Sequence, residues 1–226
     1  MISILIPLYN GVEYLNEAVT SVFLQTFESW ELIIGVNGHP ENSEVYTTAK
    51  KLEDISHKIR VFDFHQLKGK SVTLNEMVKF CKYDWICLLD ADDKWLPTKL
   101  EKQLPYVSSY DVIGTQCRYF GDKGIIPEIP LGDISKFDFF KVNPIINSSC
   151  LIKKEYAKWN SHYDGVEDYD KWLQLRFSGK QFFNVAEVLV LHRIHKDSSF
   201  NAKGNNNKVP ELLAKYKALS SIPGLR

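Results

Sequence analysis

The chain has 226 residues, 44% hydrophobic and 25% charged, an ordinary globular balance that suits one large domain or one domain with a small appendage. Lys plus Arg and Asp plus Glu number 28 each, so no net field favours nucleic acid or an anionic membrane. Cys81, Cys87, Cys117 and Cys150 lack C-x-x-C spacing, which argues against zinc and redox motifs and for reduced, mostly buried thiols.

The first half alternates short apolar runs with helical patterns, as a parallel sheet with crossover helices does. Ile2 to Ile6 reads as a buried strand that Pro7 ends, and Val12, Leu15, Val19, Val22 and Phe23 recur at helical spacing. Glu31 to Val36 is the second strand, followed by the turn Asn37-Gly38-His39-Pro40 and a polar helix to about Asp54. A third strand spans Ile59 to Phe64, a helix Ser71 to Phe80, and a fourth strand Asp84 to Leu89, with Pro97 in the first turn of the next helix. Beyond residue 110 the rhythm changes: a strand at Val112 to Phe120 enters the Gly/Pro-rich stretch Gly121 to Gly132, a surface loop or lid. Strands at Ser149 to Ile152 and Ala186 to His192 bracket a helix from Glu167 to Phe177. Ala202 to Lys208 is polar, and Val209 to Leu219 is a terminal helix. No stretch approaches the roughly 18–20 apolar residues that cross a bilayer, and the N-terminus lacks a signal-peptide pattern, so the expected location is cytoplasmic, at most peripheral to a membrane.

Open parallel sheets bind ligands at the carboxyl ends of their strands, where several polar segments fall. Pro7-Leu8-Tyr9-Asn10-Gly11 offers an exposed aromatic and backbone groups suited to a base and its ribose, or simply makes a strand-to-helix turn. In Asp90-Ala91-Asp92-Asp93 the carboxylates repel one another unless hydrogen bonds or a cation compensate; the alternative is a solvated acidic turn. Mg²⁺ and Mn²⁺ favour oxygen ligands, and Mg²⁺ is commonly held by one or two carboxylates plus substrate phosphates. Glu167-Asp168-Tyr169-Asp170 opens a helix, where the macrodipole alone explains acids, yet Asp168 in a cleft would be a base with Trp172 as an apolar wall one turn on. His192-Arg193-Ile194-His195 makes a poor zinc site, because alternation along a strand sends the two histidines to opposite sides. Arg193 and His195 are instead candidates for phosphate oxygens or a metal held elsewhere.

Taken together, residues 1 to about 200 resemble the family-2 glycosyltransferases of GT-A fold. The resemblance rests on Ile4 to Asn10, Gln25 to Ile34, Lys68-Gly69-Lys70-Ser71 with Asn75, Leu89 to Asp93 leading to Pro97, Glu167 to Leu173, and His192 to His195. It implies an α/β, Rossmann-like, mostly parallel central sheet flanked by helices, with a small acceptor-side β and loop region. A nucleotide-binding half would span about 1–108 and an acceptor and catalytic half 109–200, with 201–226 as polar linker and C-terminal helix or tail. It also implies a metal-dependent, inverting transfer from a nucleotide sugar to a glycan, lipid or protein hydroxyl. Pro7, Leu8 and Tyr9 would border the nucleoside, Lys70 the nucleotide and Asp90 the ribose. Asp92 would ligate Mn²⁺ or Mg²⁺, with Arg193 and His195 approaching the diphosphate or metal from the other side. Asp168 would be the general base, and Glu167, Trp172 and Asn147 would face the acceptor.

One departure stands out: Val36-Asn37 replaces the two acids common after the second strand. Asn37 both donates and accepts, so it can still read uracil, or signal another base. UDP is therefore favoured without being fixed. A sugar-nucleotide-forming nucleotidyltransferase would carry a Gly-rich basic loop after the first strand, and Pro7-Leu8-Tyr9-Asn10-Gly11 has one glycine and no Lys or Arg. A non-catalytic binding module descended from a transferase would not need both Asp92 and Asp168.

Overall fold

The computed structural model describes residues 1–122, 124–196 and 205–220, with side chains of the last stretch from 208 onward. In chain order the elements are β1 (Ile2–Leu8), α1 (Leu15–Phe23), β2 (Trp30–Asn37), α2 (Glu44–Lys50), β3 (Ile59–Phe64), α3 (Lys70–Lys79), β4 (Trp85–Leu88), β5 (Lys94–Trp95) and α4 (Lys99–Gln103). They continue as β6 (Val112–Gly121), β7 (Gly132–Asp133), β8 (Leu151–Lys153), α5 (Glu167–Phe177), β9 (Phe182–Ile194) and α6 (Asn205–Ser220). The expected polar linker at 201–204 and the tail at 221–226 lie outside the described residues.

One sheet runs through the molecule in the order β3-β2-β1-β4-β8-β6-β9-β5, with β7 pairing β9. The first four strands are parallel, and every residue of β2 is buried, as expected of a strand covered on both faces. β8 then runs antiparallel between β4 and β6, while β6 and β9 pair in parallel with register shifts around Gln116. The sheet is therefore mixed but mostly parallel. Two apolar cores lie on its faces, one including α1 and the other α3, α5 and α6.

Pro7 does not end the first strand; it sits inside β1 opposite Gly35. The carbonyl of Leu5 accepts from Leu89 on the β4 side, and Pro7, two residues on, faces the same side. Pairing with β4 stops at Leu5 opposite Leu88, so the N–H that proline lacks has no ladder partner to lose. Pro97 also lies earlier than expected, one residue before Thr98, the cap of α4, and its carbonyl accepts from the Thr26 amide. Gln25 completes that joint: its side chain donates to the Leu96 carbonyl at 2.8 Å and accepts from the Leu100 amide at 3.1 Å. Gln25-Thr26 therefore clamps the end of α1 to the start of α4.

α4 buries an unusual polar pair. Lys99 is fully buried, with its ammonium 2.8 Å from Gln103 Oε1 and 4.0 Å from the centre of the Trp95 ring. Burial lowers its pKa from the ordinary lysine value. Gln103 in turn donates to the carbonyls of Ile113 at 2.7 Å and Ser149 at 2.8 Å, joining α4 to β6 and to the turn before β8. Gln103→Leu strands two carbonyls and the ammonium together, and urea denaturation should show a loss of about 3 kcal/mol or more; a loss under about 1 kcal/mol would refute this account of the joint.

Candidate active site

A cleft of about 570 Å³ opens beyond the carboxyl ends of β1, β2 and β4. Pro7, Tyr9, Asn10 and Gly11 border it after β1, Asn37 and Gly38 after β2, and Asp90, Ala91 and Asp92 after β4. Lys68, Gly69 and Lys70 close one side at the start of α3, and His192 and His195 close another. Tyr9 is 54% exposed and lies beside His39 with ring centroids 5.2 Å apart. Gly38 has φ 73°, and a Cβ there would come within 2.8 Å of the Tyr9 ring, so glycine lets the aromatic lie over the turn.

The three aspartates after β4 have separate environments. Asp90 is paired: Lys70 Nζ lies 2.6 Å from Oδ1, the Asn147 amide donates to both carboxylate oxygens at 3.1 Å, and Ser148 Oγ accepts from the Asp90 amide. Burial alone would raise its pKa, but Lys70, the Asn147 amide and His192 together outweigh burial and hold it below the ordinary value. Asp93 is fully buried and accepts from Ser148 Oγ at 2.5 Å, from the Arg193 amide at 2.8 Å, and from His192 Nδ1 at 2.9 Å. Asp92 is turned to the cleft, with His195 Nε2 3.1 Å from its Oδ2. Burial first, then the charges of Asp93 and Asp90, raise its pKa, and His195 offsets part of that. Burial would lower the pKa of His192, yet the Asp93 carboxylate overcomes it and lifts the imidazole to about 9, so the ring is a cation at neutral pH.

The histidines meet the acidic turn together, against the strand-alternation expectation. β9 ends at Ile194, so His195 lies past the extended register and both rings reach the aspartates. Arg193 does not line the cleft. Its Nε donates to the Asp92 carbonyl at 2.9 Å, a terminal nitrogen lies 3.1 Å from Glu17, and its guanidinium stacks over Tyr14 and Phe120. Leu8 is fully buried in the core, pointing away from the face that Pro7 and Tyr9 present. Trp172, expected to wall the acceptor side, is also fully buried and donates to the Ile145 carbonyl. No described residue of the Gly121 to Gly132 loop lines the cleft; the loop is tied back through Ile125 to Tyr119 and through Pro130 to Asn184.

Lys70 links the cleft to the start of α5. Its ammonium is 3.3 Å from Glu167 Oε1 as well as 2.6 Å from Asp90, and these carboxylates overcome burial to raise its pKa above the ordinary value. Asp168, the next residue after Glu167, stands beside the cleft rather than in its wall. Its Oδ1 accepts from the Tyr169 amide at 2.7 Å and its Oδ2 from Asn143 Nδ2 at 2.9 Å. Burial, and then the Glu167 charge, push Asp168 up to about 6, in the range of a base that works near neutrality. The sequence does not single out Lys68, Asn10, Asn143 or His192 as site residues; Asn143 and His192 owe their place to Asp168 and Asp93, which are distant in the chain, and Lys68 and Asn10 line the cleft from loops.

Among the described residues no group of three or more His, Cys, Asp or Glu side chains forms a metal cage. Asp92 and His195 converge as two donors, which fits an ion whose remaining ligands come from substrate phosphates and water. All four cysteines are buried thiols. No described helix is long and apolar enough to cross a membrane.

The profile of the family described as Glycosyl transferase family 2 matches residues 3–158. Escherichia coli O-antigen biosynthesis glycosyltransferase WbnJ is 29% identical over 214 residues, covering 88% of this chain and 82% of its own. The E. coli UDP-Glc:alpha-D-GlcNAc-diphosphoundecaprenol beta-1,3-glucosyltransferase WfaP is 25% identical over 230 residues, covering 98% and 86%. The fold is similar to that of S. aureus TarS 1-349 in complex with UDP-GlcNAc, with a TM-score of 0.76 at 13% identity over 95% of this chain. The match spans 66% of that structure, so the chain covers less than two thirds of it. It is also similar to the mannosyltransferase PcManGT from Pyrobaculum calidifontis in complex with GDP-Man and Mn2+, with a TM-score of 0.68 at 10% identity, covering 99% and 75%.

A carboxyl raised from its ordinary 3.8 to about 6 makes the fold favour the protonated form. The stability it contributes is complete below pH 3.8 and is lost as pH rises through about 6. Asp168→Asn, which stays neutral, should therefore melt progressively higher than the parent between pH 5 and 7 in calorimetric scans. A melting-temperature difference that stays flat with pH would overturn the assigned environment.

Proposed function

Because the chain belongs to glycosyl transferase family 2, we propose that it moves a sugar from a nucleoside-diphosphate sugar to an acceptor hydroxyl by single displacement with inversion, in glycan synthesis. The observation that carries this reading is the division of labour among Asp90, Asp92 and Asp93 at one cleft, with the raised carboxyl of Asp168 beside it. UDP-sugars are favoured as donors. The complex of TarS with UDP-GlcNAc supports that preference, while the GDP-Man complex of PcManGT keeps guanosine as the competitor.

In this reading residues 1–108 hold most of the donor, and 109–200 supply the base, the acceptor side and, through Asn147, His192 and His195, the rest of the donor site. Tyr9, Pro7 and Asn37 border the nucleoside, with Asn37 offering both a donor and an acceptor to the base. Lys70 and Asn147 orient Asp90 toward the ribose. Asp92 and His195 would hold Mn²⁺ or Mg²⁺, which when bound supplies a Lewis acid for the departing diphosphate. The His192 cation adds positive charge on the same side, its orientation set by Asp93. Asp168 accepts the proton of the acceptor hydroxyl as that oxygen bonds the anomeric carbon and the bond from that carbon to the diphosphate oxygen breaks. A carboxylate base of this kind contributes about 10²–10⁴-fold.

Titration calorimetry with UDP and GDP, with Mn²⁺ or with chelator, tests the donor half of the reading. UDP should bind more tightly with Mn²⁺ than with chelator, and Asp92→Ala should remove at least about tenfold of that metal-dependent affinity. Asp168→Asn should bind the nucleotide as the parent does. Failure of both nucleotides to bind under either condition would sink the proposal.

A further inference from the structure

The segment Asn143-Pro144-Ile145-Ile146-Asn147 is a strap between the donor side and the start of α5. Pro144 and Ile145 are buried, with the Pro144 carbonyl held by Asn184 at 2.7 Å and the Ile145 carbonyl held by Trp172 at 3.2 Å. Its terminal asparagines do the same thing at two carboxylates. Asn147 donates its amide to Asp90, and Asn143 donates Nδ2 to Asp168 Oδ2 at 2.9 Å. An ionised carboxylate accepts only, so each amide must offer nitrogen and turn its oxygen away. Both oxygens so displaced, Asn143 Oδ1 and Asn147 Oδ1, are buried with no hydrogen-bond partner.

A buried, unpartnered carbonyl oxygen is a cost that packing alone would select against. At position 143 that cost is borne in order to present one N–H to one carboxylate oxygen. We propose that Asn143 is the positioning residue of Asp168, holding its Oδ2 so that the carboxylate keeps one orientation and stays ionised for the acceptor hydroxyl. This rests on the reading of Asp168 as the base. With the Tyr169 amide on Oδ1 and Asn143 on Oδ2, both oxygens are held, one by α5 itself and one by the strap.

The other groups facing Asp168 are Glu167 and the Tyr169 phenol on its own helix and Lys70 on α3. Glu167 raises the proton affinity of Asp168, while Lys70 and the Asn143 donor lower it. Removing the Asn143 donor leaves burial and Glu167 opposed by Lys70 and the Tyr169 amide.

The test is a ¹³C-carboxyl NMR titration of Asp168 in the unliganded full chain, with the resonance assigned by its loss in Asp168→Asn. The parent midpoint should lie near 6. Asn143→Ala should raise it by about one unit, the size expected for one hydrogen bond to a charged group. Asn143→Gln, which keeps a donor on a longer arm, should recover part of the shift. An Asp168 midpoint unmoved in folded Asn143→Ala overturns the inference whatever Asp168 does in catalysis. If the midpoint moves but Asp168→Asn still transfers sugar at the parent rate, the hold of Asn143 on the carboxylate stands and the base reading fails. Should Asn143→Ala not fold, Asn143→Leu removes the donor while filling the space, its midpoint should rise by the same amount, and an unmoved Asp168 midpoint there overturns the inference equally.

Discussion

The site hangs on the buried carboxylate of Asp93. Its two oxygens collect a hydroxyl from Ser148, an imidazole N–H from His192 and a main-chain N–H from Arg193. Those three donors come from the turn before β8 and from the end of β9, so one side chain ties both segments to the acidic turn. A buried carboxylate is tolerated when its lone pairs are filled and a positive charge stands near, and Asp93 meets both conditions. With it in place, β9 must end beside the acidic turn, and the two histidines arrive on the same side as Asp92.

The surrounding charges then sort themselves by environment rather than by residue type. Asp90, Asp92 and Asp93 occupy four consecutive positions with Ala91, yet one is held by a lysine, one faces the cleft beside the His195 imidazole, and one is sealed inside. Such a run would repel itself if its members shared one setting. Lys70 extends the same logic across the gap to α5, where it faces both Asp90 and Glu167. The segment before β8 contributes neutral donors only, Asn143, Asn147 and Ser148, which hold carboxylates without cancelling their charge.

Much of the frame was legible in the sequence, because local pattern decides it. β3 and α5 have the predicted bounds, since a short apolar run and an acid-led helix each carry their own start and stop. Asp90 and Asp92 stand out in the sequence as acids after an apolar strand, and Asp168 as an acid at a helix start, but nothing local marks Asp93 as the buried member of its run. What local pattern could not give was direction in depth. Leu8 follows Pro7 in the same strand but faces the core, and Trp172 lies one turn from Asp168 but is enclosed. Arg193 looked like a phosphate ligand until Glu17, the Asp92 carbonyl and two aromatic rings occupied its guanidinium. The two-residue β5 is too short for any periodicity, and it exists because β9 lies alongside it.

That last pairing has a consequence for how the molecule is made. β9 pairs in the sheet with β6 and β5, and its end supplies contacts to Asp92 and Asp93 from about a hundred residues further along the chain. A chain growing from its N-terminus carries every strand of the parallel β3-β2-β1-β4 sheet by Leu88. The acidic turn meets its histidines only when the strand that carries them has been synthesised and threaded between two strands already in existence. A copy that stops short of β9 thus has the parallel strands beneath the cleft but lacks the histidines that form its far wall.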